Sequence, residues 1–373
     1  MRSLVALKIL LHDKATTAGS LIGVIAIIFL VGQQMTVLFG LFTYMSVLVD
    51  HSAADIWVCT KNTTNINSAG MLPVRYADRV IGLPEVSWAE PLLFGSGTFK
   101  TRDGVNEGVQ VVGIRSPRMV PGPWRFHEGS LESLLDYDAI SVERLDRPML
   151  GNPEMNEIYE INDVQVQIGA ITQSIKGFSG RLVFTNIVKA KEILKTPPGR
   201  CKAILVKLRE GADRRQTMSR ITKLLPNTAV FTAAELSRST RAYYVINTGM
   251  GGSFGFSTMV GALVGIVIIT LTMYTGVLQR QKDFAVLRAL GARKIDIFIV
   301  VLVQSLMIAV VGIVIGFLLL ALFLKGTLDS SLPTYLPGWM PPALGCFTLL
   351  LCVAGSLLAI RKATAVEPAS VFR

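Results

Sequence analysis

Chemistry in a protein chain is carried by a few residue types at fixed spacings, and this sequence holds few such sets. Its three histidines, His12, His51 and His127, stand far apart and make no metal-ligand pattern. No GxxxxGK(S/T) run occurs to cradle phosphates, and there is no GxSxG, HExxH or CxxC. Neither nucleotide hydrolysis nor nucleophilic or zinc-dependent catalysis is therefore expected of this chain, and no catalytic residue, metal or cofactor is assigned to it. Of four cysteines, Cys346 and Cys352 fall inside an apolar run and read as small hydrophobes. Cys59 and Cys201 fall in a polar region; a disulfide between them and two free thiols both stay open, because pairing does not follow from sequence.

What the chain does present is a basic stretch with apolar residues at helical spacing. It reads Arg280-Gln281-Lys282-Asp283-Phe284-Ala285-Val286-Leu287-Arg288-Ala289-Leu290-Gly291-Ala292-Arg293-Lys294. Phe284, Leu287, Arg288 and Leu290 share a helical face, and Gly291 is placed to end the turn. An apolar knob framed by basic side chains is what a soluble partner would grip. A solvated connector is the plainer reading of the same residues.

The elements around this stretch are set by hydropathy. The chain has 373 residues, 51% hydrophobic and 17% charged, and its apolar residues gather into long runs at both ends. The first, Ser20 to Val49, would span roughly 45 Å as a helix, beyond the roughly 30 Å of a hydrocarbon core. It is expected to project into water, and is too long for a cleaved signal peptide. Three more runs follow, Phe254 to Leu278, Ile297 to Leu324, and a short one from Ala343 to Ile360 with Pro341 and Pro342 suited to its first turn. None holds an acidic or basic residue at its middle, which disfavours a proton or ion pathway. Gln304 with Ser305 is expected to bond a neighbouring helix. Gly261 with Gly265, and Gly312 with Gly316, are small-xxx-small pairs that allow close helix packing, within the chain or across a dimer.

The net charge of +11 suits membrane orientation better than nucleic acid, because much of the excess flanks the apolar runs. Arg2, Lys8 and Lys14, the 280–294 stretch, and Arg361, Lys362 and Arg373 are all expected on the cytoplasmic side. The expected layout is then an interfacial segment (1–17), a first span with stalk (18–49) and an extracytoplasmic domain (50–235). A stalk with the second span (236–278), a cytoplasmic coupling helix (279–296), the third span (297–324), an outside loop (325–342), the fourth span (343–360) and a cytoplasmic tail (361–373) complete it. The fold class is a helical membrane protein of four transmembrane helices, with an α+β extracytoplasmic domain inserted between helices 1 and 2.

Within that domain, strands are expected at ADIWVCT from Ala54, VQVVGI from Val109, VQVQIGAI from Val164, RLVFT from Arg181 and AILVKL from Ala203. Helices are expected over Val74–Ile81, Ile187–Leu194 and Asp213–Leu224, and PGPWRFHE at 121–128 reads as a loop. Glu235 to Asn247 is helical again and leads toward the second span. Trp57, Trp88, Phe94, Phe99, Trp124 and Phe126 are mostly core aromatics.

The 280–292 stretch resembles the R-x-R-E-I-G-V-L-R-A-L-G-A motif of MacB/FtsX-type ABC transporter permeases, and the tail AVEPASVFR resembles their closing A-x-x-x-P-x-x-x-L-R. Arg280, Val286, Leu287, Arg288, Ala289, Leu290, Gly291, Ala292 and Pro368 match; Lys282, Asp283, Phe284 and Ala285 depart from Arg, Glu, Ile and Gly. The stretch GQQMTVLFGLFTYMSVLVDHSAADIWV from Gly32 is more similar to separately encoded, DevC-like permeases than to chains fused to their ATPase. The resemblance implies a homodimeric inner-membrane permease that docks a separate ABC ATPase, holding ATP and Mg, through Arg280, Lys282, Asp283, Phe284, Val286, Leu287, Arg288, Ala289, Leu290 and Gly291. It implies mechanotransmission to the outside domain for efflux or extraction of a hydrophobic or amphipathic cargo, with a periplasmic adaptor and an outer-membrane duct as further partners. An FtsX-like regulator of a cell-wall hydrolase is the alternative; a sensor without an energy source leaves the basic loop unexplained.

Overall fold

A computed structural model describes residues 14–279, 286, 293–327, 330 and 332–364. In chain order, helix α1 (Lys14–Met45) and the single turn α2 (Val47–Asp50) come first. They are followed by β1 (Ile56–Thr60), β2 (Leu72–Pro73), α3 (Arg75–Ile81), β3 (Val86–Lys100), β4 (Asn106–Ile114), β5 (Phe126–Glu128) and β6 (Ala139–Glu143). Next are β7 (Ile158–Ile161), β8 (Val164–Thr172), β9 (Arg181–Asn186), α4 (Ile187–Ile193), β10 (Arg200–Cys201) and β11 (Ala203–Leu208). The chain closes with α5 (Arg214–Leu224), β12 (Thr228–Thr232), α6 (Ala233–Asn247), α7 (Met250–Gln279), α8 (Lys294–Thr327) and α9 (Met340–Thr364). Two compact units result, one of residues up to Gly40 and from Gly252 onward, the other Leu41–Gly251.

The described residues of the first unit are mostly apolar helix. Among the described residues three helical stretches are long and apolar enough to cross a membrane: Thr17–Met45, Met250–Ile268 and Phe298–Thr327. The fourth expected run forms α9, with Pro341 and Pro342 in its first turn, but its apolar part, Met340–Ser356, is shorter than the other three. Val24, Ile27, Ile28 and Val31 of α1 bury against Val301, Ile308 and Ala309 of α8 and Leu344 and Cys352 of α9. The paired glycines make that packing possible. A Cβ at Gly312 would stand 2.5 Å from Val24 and one at Gly316 2.7 Å from Ile28, while Gly265 meets Ile27 more closely still and Gly261 lies in ordinary contact with Val31. Gly265, Gly312 and Gly316 thus serve packing inside the chain, on one helix, α1. Ser305 departs from expectation: its hydroxyl donates to Leu302 O at 3.0 Å, within its own helix, a bond that a serine in an apolar helix makes without any partner.

The second unit is a ten-stranded mixed sheet in the order β12-β1-β11-β3-β4-β9-β6-β8-β5, with β7 pairing β3 and β8. Strand β3 ties its halves together: Val86–Leu92 run antiparallel to β11, and Leu93–Lys100 antiparallel to β4. Alternation sorts the core. Trp57, Cys59, Ala203 and Leu205 enter one cluster, while Ile56, Val58, Ile204 and Val206, one residue out of phase, enter another with α3 and α5. The helices begin where their caps dictate. Asn186 accepts from Val188 and Lys189 N–H, Asp213 from Arg215 and Gln216 N–H, and Thr232 with Glu235 forms a full capping box at α6. Two expectations are corrected. Phe126–Glu128, read as loop, is the edge strand β5, because Phe126 and Glu128 find partners at Thr172 and Ile171. The first helix is not continuous to Val49 but breaks at Ser46, whose hydroxyl is taken by Phe42 O and Asp50.

Candidate functional site

The sequence-predicted docking stretch lies almost wholly outside the described residues. Arg280, Lys282, Asp283, Phe284, Leu287, Arg288, Ala289, Leu290 and Gly291 are among those not described, as are residues 1–13 and the 365–373 tail with Pro368. Val286 is helical and exposed. Just after it, Arg293 N–H donates to Asp296 Oδ2 at 2.9 Å and Asp296 N–H returns to Arg293 O at 2.9 Å. That exchange caps α8 and fixes where the stretch ends.

The residues that the structure does gather surround the Tyr44–His51 segment, inside the second unit. Arg241 on α6 donates through Nη2 to Asp50 Oδ2 at 2.7 Å and through Nε to Ser46 Oγ at 2.9 Å, and Ser46 Oγ donates to Asp50 Oδ2 at 2.8 Å. One guanidinium thus closes both faces of the helix break. Tyr44 O accepts from Phe178 N–H at 3.2 Å, and Phe178 packs edge-on against Tyr244 of α6 with ring centroids 4.6 Å apart. The Tyr244 hydroxyl bonds Asn67 and Ser179, and Asn67 in turn accepts from Gln110. His51 stacks on Trp124 at 3.9 Å, and Trp124 meets Phe184 of β9 edge-on. The end of the first helix is therefore bonded to α6, to the 174–179 loop and to the sheet. Sequence reasoning placed Trp124 in a loop and missed Ser46, Asp50 and Arg241, since the contact joins positions 191 residues apart. Its one local signal is an Asp at the end of an apolar run.

Behind the same loop lies a buried charged group. Glu143 is 1% exposed and accepts from Thr172 Oγ1 (2.9 Å), Ser174 N–H (2.8 Å) and Ile175 N–H (3.0 Å). Burial pushes its carboxyl above the ordinary value; the bonds from Ile175, Thr172 and Ser174 pull it back, and neighbouring Asp146 adds to the push. Asp146 is itself raised by burial, against the pull of Lys176 and Arg181, with Lys176 Nζ 3.6 Å from its Oδ1. This group anchors the loop that touches Tyr44.

The cysteine alternatives resolve to free thiols. Cys59 packs with Trp57 and Leu205, whereas Cys201 packs with Ile56 and Ile204 in the other cluster. Burial pushes both thiols up to about 12, which makes them inert packing groups.

Apolar helices of membrane-crossing length combined with an inserted α+β domain are the architecture of a membrane-embedded protein. Residues 255–368 match the family described as FtsX-like permease C-terminal. An uncharacterized ABC transporter permease of Methanocaldococcus jannaschii is 28% identical over 159 residues, covering 41% of this chain and 39% of that protein. The chain thus spans well under half the length of that relative. Over residues 255–368 the chain is thus similar to FtsX-like permeases, and over 159 residues to an ABC transporter permease. Among solved structures it is similar to the periplasmic region of MacB from Actinobacillus actinomycetemcomitans (TM-score 0.40, 11% identity, 50% of this chain and 92% of that one). It is also similar to the extracellular domain of the noncanonic ABC-type transporter YknZ from Gram-positive bacteria (TM-score 0.38, 10% identity, 48% and 99%).

Proposed function

We propose that the chain is the membrane subunit of an ABC-type export or extraction complex, in which a separate ATPase drives the Leu41–Gly251 domain. The observation that carries this reading is the bonded helix end: Arg241, Ser46 and Asp50 lock the segment following α1 to α6, the helix that precedes α7 in the chain. Movement of the membrane helices would therefore be handed to the domain instead of being lost in a flexible linker. The basic 280–294 stretch is the docking element, and ATP and Mg belong to the partner. In this reading α9 is a fourth span, both termini are cytoplasmic in the inner membrane and the domain is extracytoplasmic, as the basic flanks favour. Phe256, Met259, Leu263 and Val267 form one exposed stripe along α7, which supports a homodimer packed along that helix. The cargo is hydrophobic or amphipathic and is worked on at the domain, with an adaptor and outer-membrane duct as partners in an exporter.

Co-purification tests the reading. A tagged chain should recover an ATPase subunit, and Leu287→Asp, which places a charge on the apolar face of the docking stretch, should lose it while the chain still inserts. Recovery of a cell-wall hydrolase with the complex, and no cargo transport, would favour the regulatory alternative. Unchanged ATPase recovery by Leu287→Asp sinks the docking assignment.

A further inference from the structure

The segment 332–339, Leu-Pro-Thr-Tyr-Leu-Pro-Gly-Trp, lies between α8 and α9 in the chain and closes on α1 within the first unit. Tyr335 N–H donates to Thr36 O at 3.0 Å. Phe39 meets Trp339 edge-on, centroids 5.5 Å apart. Gly40 faces the Pro333 carbonyl and Thr334 nitrogen so closely that no Cβ fits there. Thr36, Phe39 and Gly40 fall on one face of a helix by their i, i+3, i+4 spacing, and the segment is itself held by the Thr327–Thr334 hydroxyl pair at 3.0 Å. A short piece of extended chain thus grips one turn of α1, immediately before Leu41, where the second unit begins in sequence.

The other side of this segment is bare. Leu332 is 40% exposed, Tyr335 51% and Trp339 61%, and residues 330–339 contain no charged side chain. Tyr and Trp carry an apolar body and one polar tip, the combination that settles at the boundary between acyl chains and headgroups. Pro333 and Pro337 bring no N–H that would need a partner in a water-poor layer, which lets non-helical backbone lie there.

We propose that 332–339 is an interfacial collar: Leu332, Tyr335 and Trp339 enter the headgroup boundary of the bilayer and thereby hold α1 at a fixed depth through Thr36–Gly40. The partner of this surface is lipid, on the outer leaflet. The choice of leaflet rests on the topology proposed above.

The test is depth-dependent fluorescence quenching of the full chain in phosphatidylcholine vesicles brominated either near the headgroup or near the chain end. Trp339 is one of four tryptophans, and Trp57, Trp88 and Trp124 all belong to the Leu41–Gly251 domain. Shallow bromine should remove about a quarter of the emission, deep bromine much less, and Trp339→Phe should abolish the difference. Equal quenching of wild type and Trp339→Phe, or stronger quenching by deep bromine, overturns lipid contact. For the grip, F39W in the W339F background reports from α1 itself; it should show the same shallow depth and should shift when Gly40→Val forces α1 off Pro333. A reporter that does not move overturns the grip. Quenching reads depth from either face, so a wrong assignment of sides leaves this result standing, and labelling of Ser330→Cys by a membrane-impermeant thiol reagent reads the side independently.

Discussion

Neutralising Asp50 tests whether the first helix is bonded to the domain or merely adjacent to it. Arg241 reaches Asp50 at 2.7 Å and Ser46 at 2.9 Å, but the two charged side chains are 37% and 32% exposed. Solvent therefore screens the pair, and its coupling should be about 0.5–1 kcal/mol, at the upper end for exposed ion pairs because Ser46 holds both partners in place. In equilibrium terms this is a change of roughly two- to fivefold in local opening, given that about 1.4 kcal/mol is tenfold. The assay is native-state hydrogen exchange at Val49, Asp50 and His51, whose N–H groups bond to Ser46, Ser46 and Val47. Asp50→Asn and Arg241→Gln should each speed exchange by that factor, the double variant should add little more, and about 1 M salt should shrink the effect in wild type. Strict additivity in the double variant would refute the latch, and so would single variants that exchange like wild type.

Three further outcomes follow from the geometry. Glu143 titrates above its ordinary 4.5 in the folded domain, so the folded state binds more protons there than the unfolded chain; domain stability should fall as pH rises from 4.5 through the raised value, and E143Q should flatten that part of a stability–pH curve. E143A instead removes the acceptor of the Ser174 and Ile175 N–H groups and leaves the Thr172 hydroxyl only Val142 O, and should cost about 2–4 kcal/mol, read by denaturant unfolding. Gly316→Leu and Gly265→Val force side chains into Ile28 and Ile27 and should lower the Tm in detergent, each overpacking costing about 1–3 kcal/mol or more, whereas Gly252→Ala, with open space around it, should not. Cys59 and Cys201 should resist alkylation at pH 8 until the domain is denatured and then both react without reductant, and a mass indicating a linked pair would overturn their separation into two clusters.

The sequence by itself determined whatever depends on solvent and local period. Long apolar runs fixed the helices α1, α7, α8 and α9 to within a few residues, and period-two stretches with turn residues located β1, β4, β8, β9 and β11, because burial preference and pleat geometry act on neighbours in the chain. Helical spacing gave 280–292 an apolar face by the same local logic, and the motif resemblance noted there falls inside the matched residues 255–368. Tertiary structure decided everything that joins distant positions. It showed that β3 serves two halves of a sheet, that Phe126 is strand because Thr172 lies opposite, and that the glycine pairs face α1. In the sequence Ser46 falls inside the first apolar run and Asp50 directly after it. Only folding sets Arg241 across from them, since a contact between residues 191 apart leaves no periodic trace in either segment, and that contact is what makes the helix end part of the domain.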